Sequence, residues 1–198
     1  LVLGVGVAYV GSRTRSAPQA GQEVQPVGPR DHTKGNPGAG LALIEYSDFQ
    51  CPACSSYYPI LKALAERHAG DMLFAYRHFP LRQIHRNADL AARASEAAAL
   101  QGKFWEMHDM IFEHQSAWSD EPNARDILAG YAEALKLDVG KFRNDLDAPE
   151  IAERIDSDAA SGLKAGVDGT PSFFLNGKRI QNPRSLADFD ALIRAPQK

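Results

Sequence analysis

The sequence is short of several features that mark common classes of protein. Only two of its 198 residues are cysteine, so at most one disulfide can form and a small secreted scaffold held by several disulfides is excluded. Lysine and arginine number 22 against 25 acidic residues, so the formal net charge is -3 and the clustered basic surface that binds nucleic acid is missing. The hydrophobic residues, 44% of the chain, can still build one substantial core, in one domain or in one domain with an insertion.

The N-terminal part lacks an apolar run long enough to span a bilayer. The segment LVLGVGVAYVG at 1–11 is apolar but far shorter than the roughly 20 residues that a membrane-spanning helix needs, and the chain begins with Leu1. Residues 12–40 are rich in Gly, Pro, Ser, Ala and Gln and have no apolar periodicity, which predicts a flexible tether. Residues 1–40 therefore predict a trimmed signal peptide or signal anchor with a tether, and an extracytoplasmic protein that is secreted or N-terminally anchored. A disordered cytosolic extension is the alternative.

From residue 41 onward, strand and helix patterns alternate. The apolar run LALIEYS at 41–47 predicts a buried strand that leads into a helix, and a second strand follows at 71–81. This order is typical of a parallel pair of strands joined by a helical crossover. Residues 84–165 form an alanine-rich helical block, and a hairpin with an Asn-Gly turn is predicted at 172–180, followed by a helix at about 185–193.

The two cysteines lie at the start of the first predicted helix, in the motif Cys51-Pro52-Ala53-Cys54. Free backbone N–H groups and the positive end of the helix dipole favour a thiolate at this position, so Cys51 should be acidic. Pro52 suits the first helical position, and Ala53 places no bulk beside the sulfurs. Cys54 should be more buried. An exposed thiolate beside a shielded partner is the arrangement that thiol–disulfide exchange needs.

Two other roles for the cysteines are less well supported by the pattern. A structural zinc site needs two further ligands, and no pair among His78, His85, His108 and His114 has the i, i+4 spacing of two ligands on one helix face. A purely structural disulfide between such close residues would constrain the unfolded chain little. We therefore expect redox chemistry, with no metal and no cofactor.

A second motif, GVDGTPSFF at 166–174, lies far along the chain. Thr170-Pro171 stands immediately before a strand-like run. A proline at a strand start can adopt a cis peptide bond, which exposes the backbone of the preceding residue. This pattern predicts an edge that binds an extended peptide.

Taken together, the strand, the CPAC motif at a helix start, the helical block and the Gly-Thr-Pro before a hairpin resemble the DsbA-like branch of the thioredoxin fold, over residues 40–195. The resemblance implies an α/β thioredoxin-fold domain over 41–198, with a helical insertion at about 84–165 between the second and third core strands. It also implies that Pro171 is a cis-proline beside the disulfide and that Thr170 presents its backbone to substrate.

Glu45 is a further candidate, because a carboxylate inside a buried strand is costly unless it has a role. Members of the resembled family carry a buried acid at this point, and the resemblance implies proton exchange with Cys54. The alternative is an acid that reaches solvent at the strand end. Asp48 is expected in the exposed turn between strand and helix.

The resemblance also suggests a direction of electron flow. The chain resembles exported donors that oxidise newly exported, cysteine-containing proteins and are reoxidised by a quinone-linked membrane partner. We therefore expect a monomeric thiol oxidase. The CPAC motif departs from the Pro-His dipeptide of the best-known oxidases, so a reductase or an isomerase is an alternative, although an isomerase of the related dimeric type would carry a further N-terminal domain. A non-redox, tethered peptide-binding or chaperone module is the other alternative.

Overall fold

The computed structural model describes residues 24–195, which form five strands and eight helices around one mixed sheet. The strands are β1 (His32–Gly35), β2 (Ala42–Ser47), β3 (Leu73–His78), β4 (Ser172–Leu175) and β5 (Lys178–Ile180). The helices are α1 (Pro52–Arg67), α2 (Ala88–Ala99), α3 (Phe104–Glu113), α4 (Gln115–Trp118), α5 (Ala124–Ala134), α6 (Val139–Asp145), α7 (Pro149–Lys164) and α8 (Leu186–Arg194). The predicted α/β class is confirmed. No helix in the described part is both long and apolar enough to cross a membrane.

The sheet has the order β1-β3-β2-β4-β5, with β2 at its centre. Strands β2 and β3 are parallel, as the strand–helix–strand pattern predicts, and the other pairs are antiparallel. Because side chains alternate along a strand, Leu43 packs with Leu61 and Leu64 of α1 on one face, while Ile44 and Tyr46 face the opposite side. Glu45 therefore lies on the face of β2 that α1 covers.

Strand β1 corrects the prediction of a flexible tether. It lies within residues 12–40 and pairs with β3, with His32 opposite Tyr76. The preceding residues are held by Arg77, whose guanidinium donates to Asp31 at 2.8 Å and to the Gln25 carbonyl at 3.0 Å. The sequence HTKG has no apolar alternation, so its pairing depends on these distant contacts. The predictions for residues 1–23 lie outside the described residues.

Helices α2–α7 form the predicted insertion, and their apolar side chains pack in one hydrophobic core with Phe49, Tyr58 and Tyr76. Met107, Ile111, Trp118 and Leu128 are fully buried in this core. The insertion lies between β3 and β4, which become the third and fourth strands in chain order once β1 is counted. The core of the insertion includes Phe49, Cys51 and Cys54, so its helices pack against the cysteine turn at the end of the central strand.

Candidate redox site

The turn between β2 and α1 sets the position of the thiols. Cys51 is the N-cap of α1, with φ -68° and ψ 122°, and Pro52 occupies the first turn of the helix. The backbone N–H of Cys51 donates to the carbonyl of Asp48 at 3.1 Å. The thiol of Cys51 therefore faces the free N–H groups at the helix start.

The two thiols lie 3.7 Å apart and are both free. A hydrogen bond from Cys54 lowers the pKa of Cys51 to about 5 against the opposing effect of burial, and the side chain of Thr170 and the backbone N–H groups of Cys54 and Ala53 assist. The acidic first thiol agrees with the sequence prediction. The predicted exposure of Cys51 is wrong, because only 7% of this residue is accessible. The loop that carries Thr170 covers it.

Cys54 has the opposite environment. It is completely buried, and this burial raises its pKa, with further contributions from its hydrogen bond to Cys51 and from the negative charges of Glu45 and Cys51. Cys54 therefore stays protonated, and its S–H group donates a hydrogen bond to the sulfur of Cys51.

Glu45 is buried at 2% exposure, so the alternative in which it reaches solvent is wrong. The hydroxyl of Ser47 donates to it at 2.8 Å. Burial raises the pKa of Glu45 to about 8, and the negative charge of Cys51 adds to the increase. A carboxyl group with this pKa is mostly protonated at neutral pH and can exchange a proton.

The motif at residues 166–174 lies beside the cysteine motif in the structure. The peptide bond between Thr170 and Pro171 is cis, and the sulfur of Cys51 lies 3.4 Å from the carbonyl oxygen of Thr170. Pro52 and Ala53 lie exposed on the same turn as Cys51. The structure therefore brings together all the residues that the sequence proposed for the site, with Glu45 beneath the thiols.

The expectation that Asp48 lies in an exposed turn is wrong. Its side chain is fully buried, not exposed, and accepts hydrogen bonds from the backbone N–H of Gln50 at 2.7 Å and of Leu81 at 2.8 Å. The ring Nδ1 of His85 also bonds to Asp48 at 2.7 Å. The loop after β3 folds over the turn, and this tertiary contact has no local sequence signature.

The insertion also holds the turn. The side-chain amide of Gln115 donates to the carbonyls of Phe49 at 2.7 Å and Cys51 at 3.1 Å. The amide oxygen of Gln50 accepts from the backbone N–H of Asn87 at 2.7 Å. The backbone of the cysteine turn is therefore fixed from the helical side as well as from the sheet.

The described residues also include one set of side chains with the donor atoms of a metal site. His32, His78 and Glu96 place one donor atom each within 4.8 Å of the others. His32, His78 and Glu96 come from β1, β3 and α2, so their spacing along the chain gives no metal-ligand pattern.

Comparison with known proteins identifies the family. Residues 28–195 match the family model described as thioredoxin. The chain belongs to this thioredoxin family. A thioredoxin-like oxidoreductase from Silicibacter pomeroyi DSS-3 is 25% identical, with a TM-score of 0.70 over 85% of this chain and 95% of that chain. The α-DsbA1 of Wolbachia pipientis shares the fold at 24% identity, with a TM-score of 0.75 over 85% of this chain and 90% of that chain. The DsbA-like thioredoxin fold is confirmed.

The chain also matches parts of longer curated proteins. The Na(+)/H(+) antiporter NhaA 1 of Mycolicibacterium gilvum is 40% identical over 177 residues, which are 87% of this chain and 27% of that protein. The Na(+)/H(+) antiporter NhaA of Herminiimonas arsenicoxydans is 36% identical over 199 residues, which are 100% of this chain and 30% of that protein. The chain thus spans less than a third of either relative.

Proposed function

We propose that this protein is a thiol oxidase. Its Cys51–Cys54 disulfide oxidises pairs of cysteine thiols in substrate proteins. The observation that carries the proposal is the contrast between the thiols, since the pKa of Cys51 is lowered to about 5 while that of Cys54 is raised. A stable thiolate favours the reduced form of the pair. The oxidised form then tends to accept electrons from other thiols.

The exchange proceeds in two steps. A substrate thiolate attacks the sulfur of Cys51, a mixed disulfide forms, and the sulfur of Cys54 leaves and takes up a proton. A second substrate thiolate then attacks the substrate sulfur of the mixed disulfide, and Cys51 leaves as a thiolate. The substrate gains one disulfide and releases two protons, one of which ends on Cys54. The low pKa makes Cys51 a good leaving group in the second step.

Glu45 fits the role of proton donor and acceptor for Cys54. Both groups are buried, and the charge of Glu45 acts on the thiol of Cys54. The protonated carboxyl group can supply the proton when Cys54 leaves and can recover it when Cys54 attacks.

The loop at Thr170 and Pro171 supplies the substrate contact. Its backbone lies within hydrogen-bond distance of Cys51, and Pro52 and Ala53 are exposed beside it. An extended peptide with a cysteine next to this edge would pair with the Thr170 backbone, as in strand-addition recognition.

A catalytic oxidase needs an electron acceptor and an oxidising compartment. We propose that the protein acts as a monomer outside the cytosol, on unfolded or newly exported proteins, and is reoxidised by a quinone-linked membrane partner. The match to segments of proteins named Na(+)/H(+) antiporters supports a position at a membrane.

Two assays separate this proposal from its alternatives. The oxidised protein should form disulfides in a reduced, unfolded substrate, and this activity should require Cys51. Faster reduction of insulin without oxidative refolding would favour a reductase. A peptide-binding module without redox turnover would give neither activity, and trapping mixed disulfides in cells would identify the substrates.

A further inference from the structure

Three side chains from separate elements converge away from the cysteine turn. His32 on β1 and His78 on β3 each place ring Nε2 2.8 Å from Oε1 of Glu96 on α2. We propose that these three atoms form a binding site for a divalent transition-metal ion, with zinc as the metal that suits the donors best.

The donor set is that of known zinc sites with two histidines and one glutamate. Zinc binds imidazole nitrogen at about 2.0–2.1 Å and carboxylate oxygen at about 2.0–2.2 Å, which separates tetrahedral ligands by about 3.3 Å. The 2.8 Å contacts from His32 and His78 would therefore open by about half an ångström to admit the ion. Calcium and magnesium prefer oxygen ligands and do not suit this set.

Burial and packing prepare the site. The side chains of His78 and Glu96 are 1% and 9% exposed, while His32 is 19% exposed and leaves a side open for a water ligand. The ring of His32 stacks on Phe104 with centroids 3.4 Å apart, which fixes its orientation. The ligand atoms are therefore held in place without an ion, as a preorganised site requires.

Glu96 supplies the acidic donor of the set. Its Oε1 atom lies 2.8 Å from ring Nε2 of both His32 and His78. Arg154 lies 3.9 Å from Glu96 but is also paired with Asp158. The carboxylate is therefore available as an anionic ligand.

A missing hydrogen bond at His78 lowers the affinity that we expect for zinc. The Nδ1 atom of His78 is buried and has no hydrogen-bond partner in the described part of the chain. A histidine ligand normally donates its second N–H to an acceptor, and loss of such a partner weakens metal binding by about 10–100-fold. We therefore expect zinc to bind more weakly than at a site with both partners, and to link β1 to β3 and α2.

The test uses the full chain with Cys51→Ser and Cys54→Ser, so that no thiol can bind the metal. Zinc chloride is titrated by calorimetry, and melting temperatures are compared with zinc and with EDTA. His32→Phe keeps a ring to stack on Phe104, and Glu96→Gln keeps the size of the side chain. His114→Phe is the matched control, because His114 is exposed and its ring lies against Tyr131 instead.

The proposal predicts one zinc per chain and a higher melting temperature with zinc. His32→Phe and Glu96→Gln should each weaken binding by at least tenfold while His114→Phe leaves it unchanged. Cobalt in place of zinc should give visible ligand-field absorption without a thiolate charge-transfer band. Absence of zinc binding, or binding that survives both ligand substitutions in proteins whose circular dichroism shows a native fold, would overturn the proposal.

Discussion

Cys51 and Cys54 differ sharply in their surroundings although they share one helical turn. Cys51 receives hydrogen bonds at the helix start, whereas Cys54 points into the core and is completely buried. The difference follows from their positions at the start of the helix and one turn inside it. The sequence therefore predicted the acidity of Cys51 and the deeper burial of Cys54, and this burial is what raises the pKa of Cys54.

The first prediction concerns the roles of these thiols. Alkylation of the reduced protein should modify Cys51 first, with a rate that rises through a pH near 5, because its pKa is lowered to about 5. Cys54→Ser should accumulate mixed disulfides through Cys51, and Cys51→Ser should be inert. Mass spectrometry of the alkylated peptides measures the order. Faster modification of Cys54 in the folded protein would reverse the assignment.

The second prediction concerns Glu45, whose burial costs stability. Its pKa is raised to about 8, so the folded state binds a proton that the unfolded state releases above the ordinary value of 4.5. The cost is absent at low pH, grows as the pH rises above 4.5 and is complete above about 8. Glu45→Gln should therefore raise the free energy of unfolding by about 1–3 kcal/mol at pH 7 and change it little at pH 4.

The same substitution tests the proposed proton transfer. Glu45→Gln should slow the first step, in which Cys54 leaves and takes up a proton, more than the second step, in which Cys51 leaves, as measured by stopped-flow kinetics of each step. Glu153→Gln, on the exposed face of α7, is the control. Equal slowing of both steps would argue against proton transfer by Glu45.

At the scale of elements, the turn between β2 and α1 depends on Asp48. Its carboxylate accepts from the N–H groups of Gln50 and Leu81 and from His85, so it joins the turn to the loop after β3. The third prediction is that Asp48→Ala lowers the free energy of unfolding by about 2–4 kcal/mol, because buried donors lose their partner. Denaturant unfolding measures it. Asp126→Ala, at a side chain 69% exposed, should cost less than about 1 kcal/mol, and an equal loss would remove this role from Asp48.

The loop before β4 gives the fourth prediction. Pro171 has no backbone N–H. The edge beside Thr170 therefore offers a substrate peptide the Thr170 carbonyl, with no backbone hydrogen-bond donor at the next residue. Pro171→Ala adds an N–H that can bond to a bound peptide. It should lengthen the lifetime of the mixed disulfide and leave helical content, measured by circular dichroism, unchanged. An unchanged lifetime would contradict a role of this loop in substrate release.

Elements with local signals were predictable, and elements that depend on distant pairing were not. The parallel pair β2 and β3 followed from apolar runs around an amphipathic helix, and the start of α7 followed from Pro149. Strand β1 has no such pattern and forms because β3 offers it an edge. The buried Asp48 and the contact between His32 and Glu96 likewise arise only after the chain has folded.

Across the whole molecule, folding and redox state are coupled through Cys51. Its folded pKa of about 5 lies below its ordinary value of 9.0, so the thiolate stabilises the reduced fold fully above pH 9, less as the pH falls, and not at all below about 5. At pH 7 this stabilisation is about 2.7 kcal/mol, because the pH then lies about two pH units above the folded pKa. Closing a loop of about four residues stabilises the oxidised fold by about 1.9 kcal/mol. The reduced form should therefore be more stable by about 1 kcal/mol at pH 7.

The measurement that tests the oxidase account most directly compares thermal melts of the reduced and oxidised proteins. This fifth prediction is that the reduced form melts about 2–4 °C higher at pH 7, since about 1 kcal/mol shifts the midpoint by that amount in a chain of this size. Near pH 4 the thiolate is lost and the order should reverse. One thermodynamic cycle links stability to redox equilibrium, so a more stable reduced form means a disulfide that oxidises other thiols. An oxidised form that melts higher at pH 7 would contradict the account and favour a reductase or a structural disulfide.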